Sequence, residues 1–233
     1  MNPRTQRRLV AGPAGDLDCA IDEPEGDLKG VAVICHPHPQ QGGTMDNKVV
    51  TTLARAFTQC GWRAVRFNFR GIGGSAGVWD EGRGEIDDAL AVAAAVREPG
   101  QALAWAGFSF GGYVASQAAA TLAPSQLVLV GPATASFSVA AVPKDALVIH
   151  GEADEIVPLA ATLDWARPQA LPVVVVPGGG HFFHGQLSLL KSLVVRHLSV
   201  PAGDDDPKLA ALAPPAGSSG RLGAARRWPE PFN

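Results

Sequence analysis

Trp105-Ala106-Gly107-Phe108-Ser109-Phe110-Gly111-Gly112 sets a serine between two glycines at G-x-S-x-G spacing. The apolar run Ala102 to Ala106 reads as the end of a buried strand, and Tyr113 to Ala123 reads as a helix. A serine at such a corner sits on a sharp turn, where the glycines two residues away on each side relieve crowding between strand and helix. Its Oγ is then pushed out above the sheet, the position a nucleophile needs. With 27 glycines in the chain, the bare motif is a weak signal; the strand before it and the helix after it give it weight. The competing structural role is a serine that merely caps its helix.

Working outward, apolar β-branched runs alternate with Ala/Leu-rich helical patterns. Arg8 to Val10 and Asp16 to Ile21, joined by Gly-Pro-Ala-Gly, predict an antiparallel hairpin. Strands are expected at Gly30 to Cys35, Trp62 to Asn68, Gln126 to Val130, Ala146 to His150 and Val173 to Val176. Helices are expected at Asp46 to Cys60, Glu85 to Glu98 and about Gly185 to His197. Continuous apolar strands alternating with helices predict an α/β fold with a mostly parallel sheet covered on both faces. Ligands of such sheets sit at the carboxyl ends of the strands. The connection from Val130 to Ala146 is short and rich in Ser, Ala and Pro, so no cap domain is expected there and the active face should be open.

A serine hydroxyl needs a base to remove its proton, best a histidine held by a carboxylate. Both follow in order after later strands. Asp154 lies in His150-Gly151-Glu152-Ala153-Asp154-Glu155-Ile156-Val157-Pro158, and His181 in Gly178-Gly179-Gly180-His181-Phe182-Phe183. The order Ser, Asp, His is that of a nucleophile elbow on this kind of sheet. Glu152 and Glu155 rival Asp154, and His184 rivals His181. If a helix starts at His181, both histidines share a face and both approach the serine.

The oxyanion needs two preorganised donors. One is expected from the backbone N–H of Phe110, at a helix N-terminus. The other is expected from His36-Pro37-His38-Pro39-Gln40-Gln41-Gly42-Gly43, where the prolines have no N–H to offer. His38 is the first choice, with Gln40 behind it.

Five segments carry a resemblance: CHPHPQQGGTMDNKV from Cys35 to Val49, FNFRGIGGSA from Phe67 to Ala76, AGFSFGG from Ala106 to Gly112, GEADEIV from Gly151 to Val157, and HFFH from His181 to His184. Over about residues 5–200 the chain resembles the α/β-hydrolase superfamily, and within it a bacterial group of small, cap-less hydrolases distantly similar to dienelactone hydrolases. The resemblance implies an eight-stranded sheet, with Ser109 as nucleophile, His181 as base and Asp154 as acid. It supplies no substrate. His38-Pro39 stands where His-Gly is common in the group, which makes the oxyanion loop more constrained and leaves its second donor open.

Together these readings predict a serine hydrolase, carboxylesterase-like, that cleaves small or short-chain carboxylic esters through an acyl-enzyme. Thioester hydrolysis by the same three residues and a non-catalytic binding scaffold are the alternatives. No cofactor is expected. The histidine spacings fit no zinc signature, so no metal is expected either. Gly71-Ile72-Gly73-Gly74-Ser75-Ala76 matches a dinucleotide fingerprint, but the next helix pattern begins only near Glu85. Trp79, Trp105 and Trp165 read as packing residues, with Trp79 able to line the site.

A net charge of −3 offers no attraction to nucleic acid or an anionic membrane, so a small-molecule ester or thioester is the expected partner. The three cysteines, Cys19, Cys35 and Cys60, show no C-x-x-C spacing and predict no disulfide framework. Met1 to Arg8 is polar and basic with no apolar stretch after it, which predicts a cytoplasmic location. Residues 1–200 are expected to form the hydrolase domain. From Pro201 the composition turns to Ala, Gly, Pro, Ser and Asp, so residues 201–233 are expected to be a disordered tail.

Overall fold

The computed structural model describes residues 5–199. The tail expected over 201–233 lies outside the described residues.

Eight strands form one sheet: β1 (Gln6–Gly12), β2 (Gly15–Asp22), β3 (Gly30–Cys35), β4 (Trp62–Phe67), β5 (Ala102–Phe108), β6 (Gln126–Val130), β7 (Leu147–Gly151) and β8 (Val173–Val176). Their order is β1-β2-β4-β3-β5-β6-β7-β8. The hairpin strands β1 and β2 pair antiparallel, β2 pairs antiparallel with β4, and every other pairing is parallel. The mostly parallel eight-stranded sheet is therefore present.

Five helices alternate with the strands: α1 (Lys48–Gln59), α2 (Arg83–Val96), α3 (Phe110–Thr121), α4 (Leu159–Ala166) and α5 (Leu187–Ser199). Alternate residues of the central strands feed two cores, as strand pleating dictates. Val31, Val33, Leu103 and Trp105 pack with α2 and α3, whereas Ala32, Ile34, Ala104 and Ala106 pack with α1 and α5. Helix α1 starts where Asn47 caps it, its side chain accepting the Val49 N–H at 2.8 Å.

Two local differences from the sequence reading have simple causes. Helix α3 begins at Phe110, directly after the serine, because Gly111 and Gly112 lie inside its first turn, where glycine's poor helix propensity masks the pattern. Helix α4 was not expected; it buries only Thr162 and Ala166, too few positions to mark a periodic stripe.

Strand order reverses at β3, which lies between β4 and β5. The crevice beyond the carboxyl ends of β3 and β5 is the place where such sheets receive ligands. Residues 36–38 and Ser109 both lie there. Among the described residues, no helix intervenes between β6 and β7.

Candidate active site

Ser109 occupies φ 56°, ψ −119°, a conformation that costs a non-glycine residue roughly 1–3 kcal/mol. Its surroundings impose it. The Ser109 N–H donates to the Val130 carbonyl at 2.9 Å, and the Ser109 carbonyl accepts from Gly112 at 2.9 Å and Ala133 at 3.1 Å. A Cβ on Gly107 would lie 2.0 Å from the Gly111 oxygen, and one on Gly111 would lie 2.2 Å from the Cys35 oxygen. Only glycines let strand, helix and the end of β3 approach this closely. Ser109 makes no side-chain capping bond to its helix, so the capping role is not the one it plays.

Its Oγ instead lies 3.0 Å from His181 Nε2, while His181 Nδ1 lies 2.7 Å from Asp154 Oδ2. The carboxylate only accepts, so Nδ1 carries the proton and Nε2 is left to accept the serine O–H. The loops bearing the two partners are laced together, with the Ala153 N–H donating to the Gly179 carbonyl at 2.9 Å. Phe108 and Phe182 flank the imidazole, with ring centroids 4.8 and 5.2 Å away.

The Asp154 carboxylate is held from all sides. Oδ1 accepts the N–H groups of Ile156 (2.9 Å) and Val157 (2.8 Å). Burial pushes its pKa up, but the His181 hydrogen bond, the Val157 N–H, the charge of His181 and the Ile156 N–H together hold it below the usual carboxylate range. Behind it sits His150, fully buried, whose Nε2–H donates to the Val157 carbonyl at 2.9 Å and lies 3.5 Å from Asp154 Oδ2. Burial keeps this imidazole below its ordinary pKa, hence neutral near pH 7. His150 was missed by sequence reasoning; a histidine closing an apolar strand four residues before the aspartate is the signal it left.

On the other side of the serine, the backbone N–H groups of Phe110 and His38 have no hydrogen-bond partner among the described residues. The His38 carbonyl accepts from Gln41 and Gly43, both at 3.0 Å, which closes the loop into a short turn. His36 fastens this loop to the next one. Its Nε2 accepts the Phe69 N–H at 3.0 Å, so its Nδ1 bears the proton and donates to the Pro37 carbonyl at 2.6 Å. Burial drives the His36 pKa down to about 4. Gln40 is exposed.

The rivals separate cleanly. Glu152 and Glu155 are exposed, and Glu152 accepts the Gly178 N–H at 2.9 Å instead of facing a histidine. His184 is also exposed, with its ring against that of Phe182, because residues 181–186 form turns, with Phe183 at φ 51°, and no helix starts at His181. Gly71 to Ala76 opens no helix, since α2 begins only at Arg83. Trp105 is buried and Trp165 half-buried against the core, their indole N–H groups donating to the Leu122 and Val139 carbonyls. Trp79 stands instead against His38 and Phe110.

Known proteins share this sequence and fold. The family model "Serine aminopeptidase, S33" matches residues 26–144, just over half of the chain. XC6422 from Xanthomonas campestris, described as an α/β serine hydrolase without lid, is 41% identical with a TM-score of 0.80, covering 88% of this chain and 99% of its own. An α/β serine hydrolase homologue from Coxiella burnetii is 40% identical with a TM-score of 0.75, covering 83% and 97%. The uncharacterized protein RP471 of Rickettsia prowazekii is 36% identical over 109 residues, 46% of this chain and 46% of that protein, so the match spans about half the length of that curated relative. The chain belongs to the α/β serine hydrolases, in the group of small members without a lid.

Proposed function

We propose that the protein hydrolyses small carboxylic esters through an acyl-enzyme formed on Ser109. The observation that carries this is the continuous chain from Ser109 Oγ to His181 Nε2 (3.0 Å) and from His181 Nδ1 to Asp154 Oδ2 (2.7 Å). Ser109 Oγ attacks the ester carbonyl while its proton passes to His181 Nε2. The N–H groups of Phe110 and His38, both without a partner among the described residues, take the oxyanion. The intermediate collapses, the C–O bond to the alcohol breaks, and the leaving oxygen takes the proton from His181. Water, deprotonated by the same imidazole, then releases the acid. Asp154 keeps Nδ1 protonated and stabilises the imidazolium throughout. The backbone strain at Ser109 holds Oγ clear of its helix and aimed at the base.

The test is hydrolysis of p-nitrophenyl acetate, butyrate and octanoate and of an acyl-CoA by wild type and Ser109→Ala, with fluorophosphonate labelling of both. Labelling of the wild type alone, with turnover lowered about 10⁴-fold or more in the variant, is the expected result. Equal turnover by both proteins overturns the proposal. Faster cleavage of the acyl-CoA would replace esters by thioesters as the substrate class.

A further inference from the structure

Five rings from four separate segments meet beside Ser109. They are His38 after β3, Trp79 after β4, Phe110 and Tyr113 on α3, and Phe137 in the β6–β7 connection. Their centroids are close: His38 to Trp79 4.7 Å, His38 to Phe110 5.2 Å, Trp79 to Phe110 5.2 Å, Phe110 to Phe137 5.1 Å and Tyr113 to Phe137 4.9 Å. Phe110 is buried, whereas the other four are only half-buried and keep part of their surface open.

Backbone bonds set these rings relative to the nucleophile. The Ser109 carbonyl accepts the Tyr113 N–H at 3.3 Å and the Ala133 N–H at 3.1 Å, and the Phe137 N–H donates to Ala133 at 3.0 Å. Trp79 is held by its neighbours: the Asp80 and Gly82 N–H groups donate to the fully buried Glu85 at 3.0 and 2.8 Å. The rings themselves carry no formal charge, and the buried Glu85 carboxylate acts on Tyr113 from behind them. Burial keeps the His38 imidazole uncharged near pH 7, and its Nδ1 has no partner among the described residues. The two arginines of the Trp79 loop and its helix are taken, Arg70 by Asp88 and Arg83 by Asp80 and Glu81.

We infer that this wall is the subsite for an uncharged aromatic ring of the substrate, so that neutral aryl esters are the preferred class. The inference rests on the esterase reading of Ser109. Aromatic rings in tilted and edge-to-face contact gain over saturated groups of the same size, and uncharged rings backed by the Glu85 carboxylate, with both nearby arginines paired, give no place to a ring-borne carboxylate.

The test compares two isomeric esters, methyl phenylacetate and benzyl acetate, each against its saturated counterpart, methyl cyclohexylacetate and cyclohexylmethyl acetate. Enzyme is counted by fluorophosphonate titration, so unfolded variant molecules do not enter the rates. At least one aryl ester is expected to exceed its counterpart in kcat/KM by about threefold to tenfold. The faster isomer tells whether the ring enters with the acyl or the alcohol half. Trp79→Leu and Phe137→Leu should each bring the aryl-to-saturated ratio toward one, mainly through KM, and Trp79→Phe should keep most of it. A ratio of one in wild type, or a ratio unmoved by both leucine variants, overturns the inference while Ser109 still labels. Absence of labelling would overturn the esterase reading, and this inference with it.

Discussion

Gly111 rests on Cys35 so closely that a methyl group at its Cα would stand 2.2 Å from the Cys35 carbonyl oxygen. This contact seats the start of α3 against the end of β3, and so places the Phe110 N–H beside the His38 loop. The atoms that would be displaced are backbone, which has nowhere to retreat inside a close-packed sheet. Gly111→Ala is therefore expected to cost more than about 2 kcal/mol of stability. Because the Phe110 and His38 N–H groups proposed to take the oxyanion would be pulled apart, kcat should fall while the fold survives at low temperature. Urea unfolding and steady-state kinetics of the variant check both.

Ser109 carries backbone strain that the proposed chemistry uses and that stability does not need. Glycine tolerates φ 56°, ψ −119°. Ser109→Gly should abolish labelling and turnover yet raise stability by about 1 kcal/mol, the relief of strain less glycine's extra unfolded-state entropy. In a chain of this size that is a rise of roughly 2–4 °C in Tm. A Tm below wild type would show that the serine is not strained.

Asp154→Asn keeps the size of the side chain but presents an amide to the imidazole. The Nδ1 proton is no longer held in place, the tautomer is free to reverse, and a drop of about 10⁴-fold in kcat is expected with little change in KM. The carboxylate also matters in acid. Its folded pKa lies below the ordinary value, so it contributes stability above the normal carboxylate range and loses it as pH falls through the folded pKa. The variant should show a shallower loss of stability below about pH 4, read from unfolding curves across that range.

His36 predicts a second acid-sensitive step at higher pH. Burial lowers its pKa from 6.5 to about 4, so the unfolded chain binds this proton first. Its contribution is complete above pH 6.5 and is lost progressively as pH falls toward 4, an effect on the order of 3 kcal/mol. His36→Gln, whose side-chain oxygen retains an acceptor for the Phe69 N–H, should flatten stability between pH 6.5 and 4. Denaturant midpoints at pH 7, 5.5 and 4.5 decide it.

The parts that were legible were those written in local pattern. The apolar runs of β3, β5 and β6 are buried along nearly their whole length, so each announced itself without reference to the rest of the chain. That Ser109, Asp154 and His181 come together was legible because each follows a strand in the order such sheets use. His150 and the role of His36 were not, since each acts through a partner many residues away or a carbonyl whose direction no sequence pattern records. The ring cluster was equally hidden: its members come from four segments, and although His38, Phe110 and Trp79 were singled out one by one, no pattern along the chain joins their rings to those of Tyr113 and Phe137.

By itself the sequence determined the alternation of strand and helix, the corner at Ser109 and the order of its partners, because these depend on residue type and spacing along one chain. Only the tertiary structure decided which carboxylate and which histidine stand together beside Ser109, namely Asp154 and His181 with Glu152, Glu155 and His184 left exposed, and which rings gather near it. Those choices rest on distances of about 3 Å between atoms of different loops, and such distances exist only once β3, β5, β7 and β8 bring their carboxyl ends to one edge of the sheet.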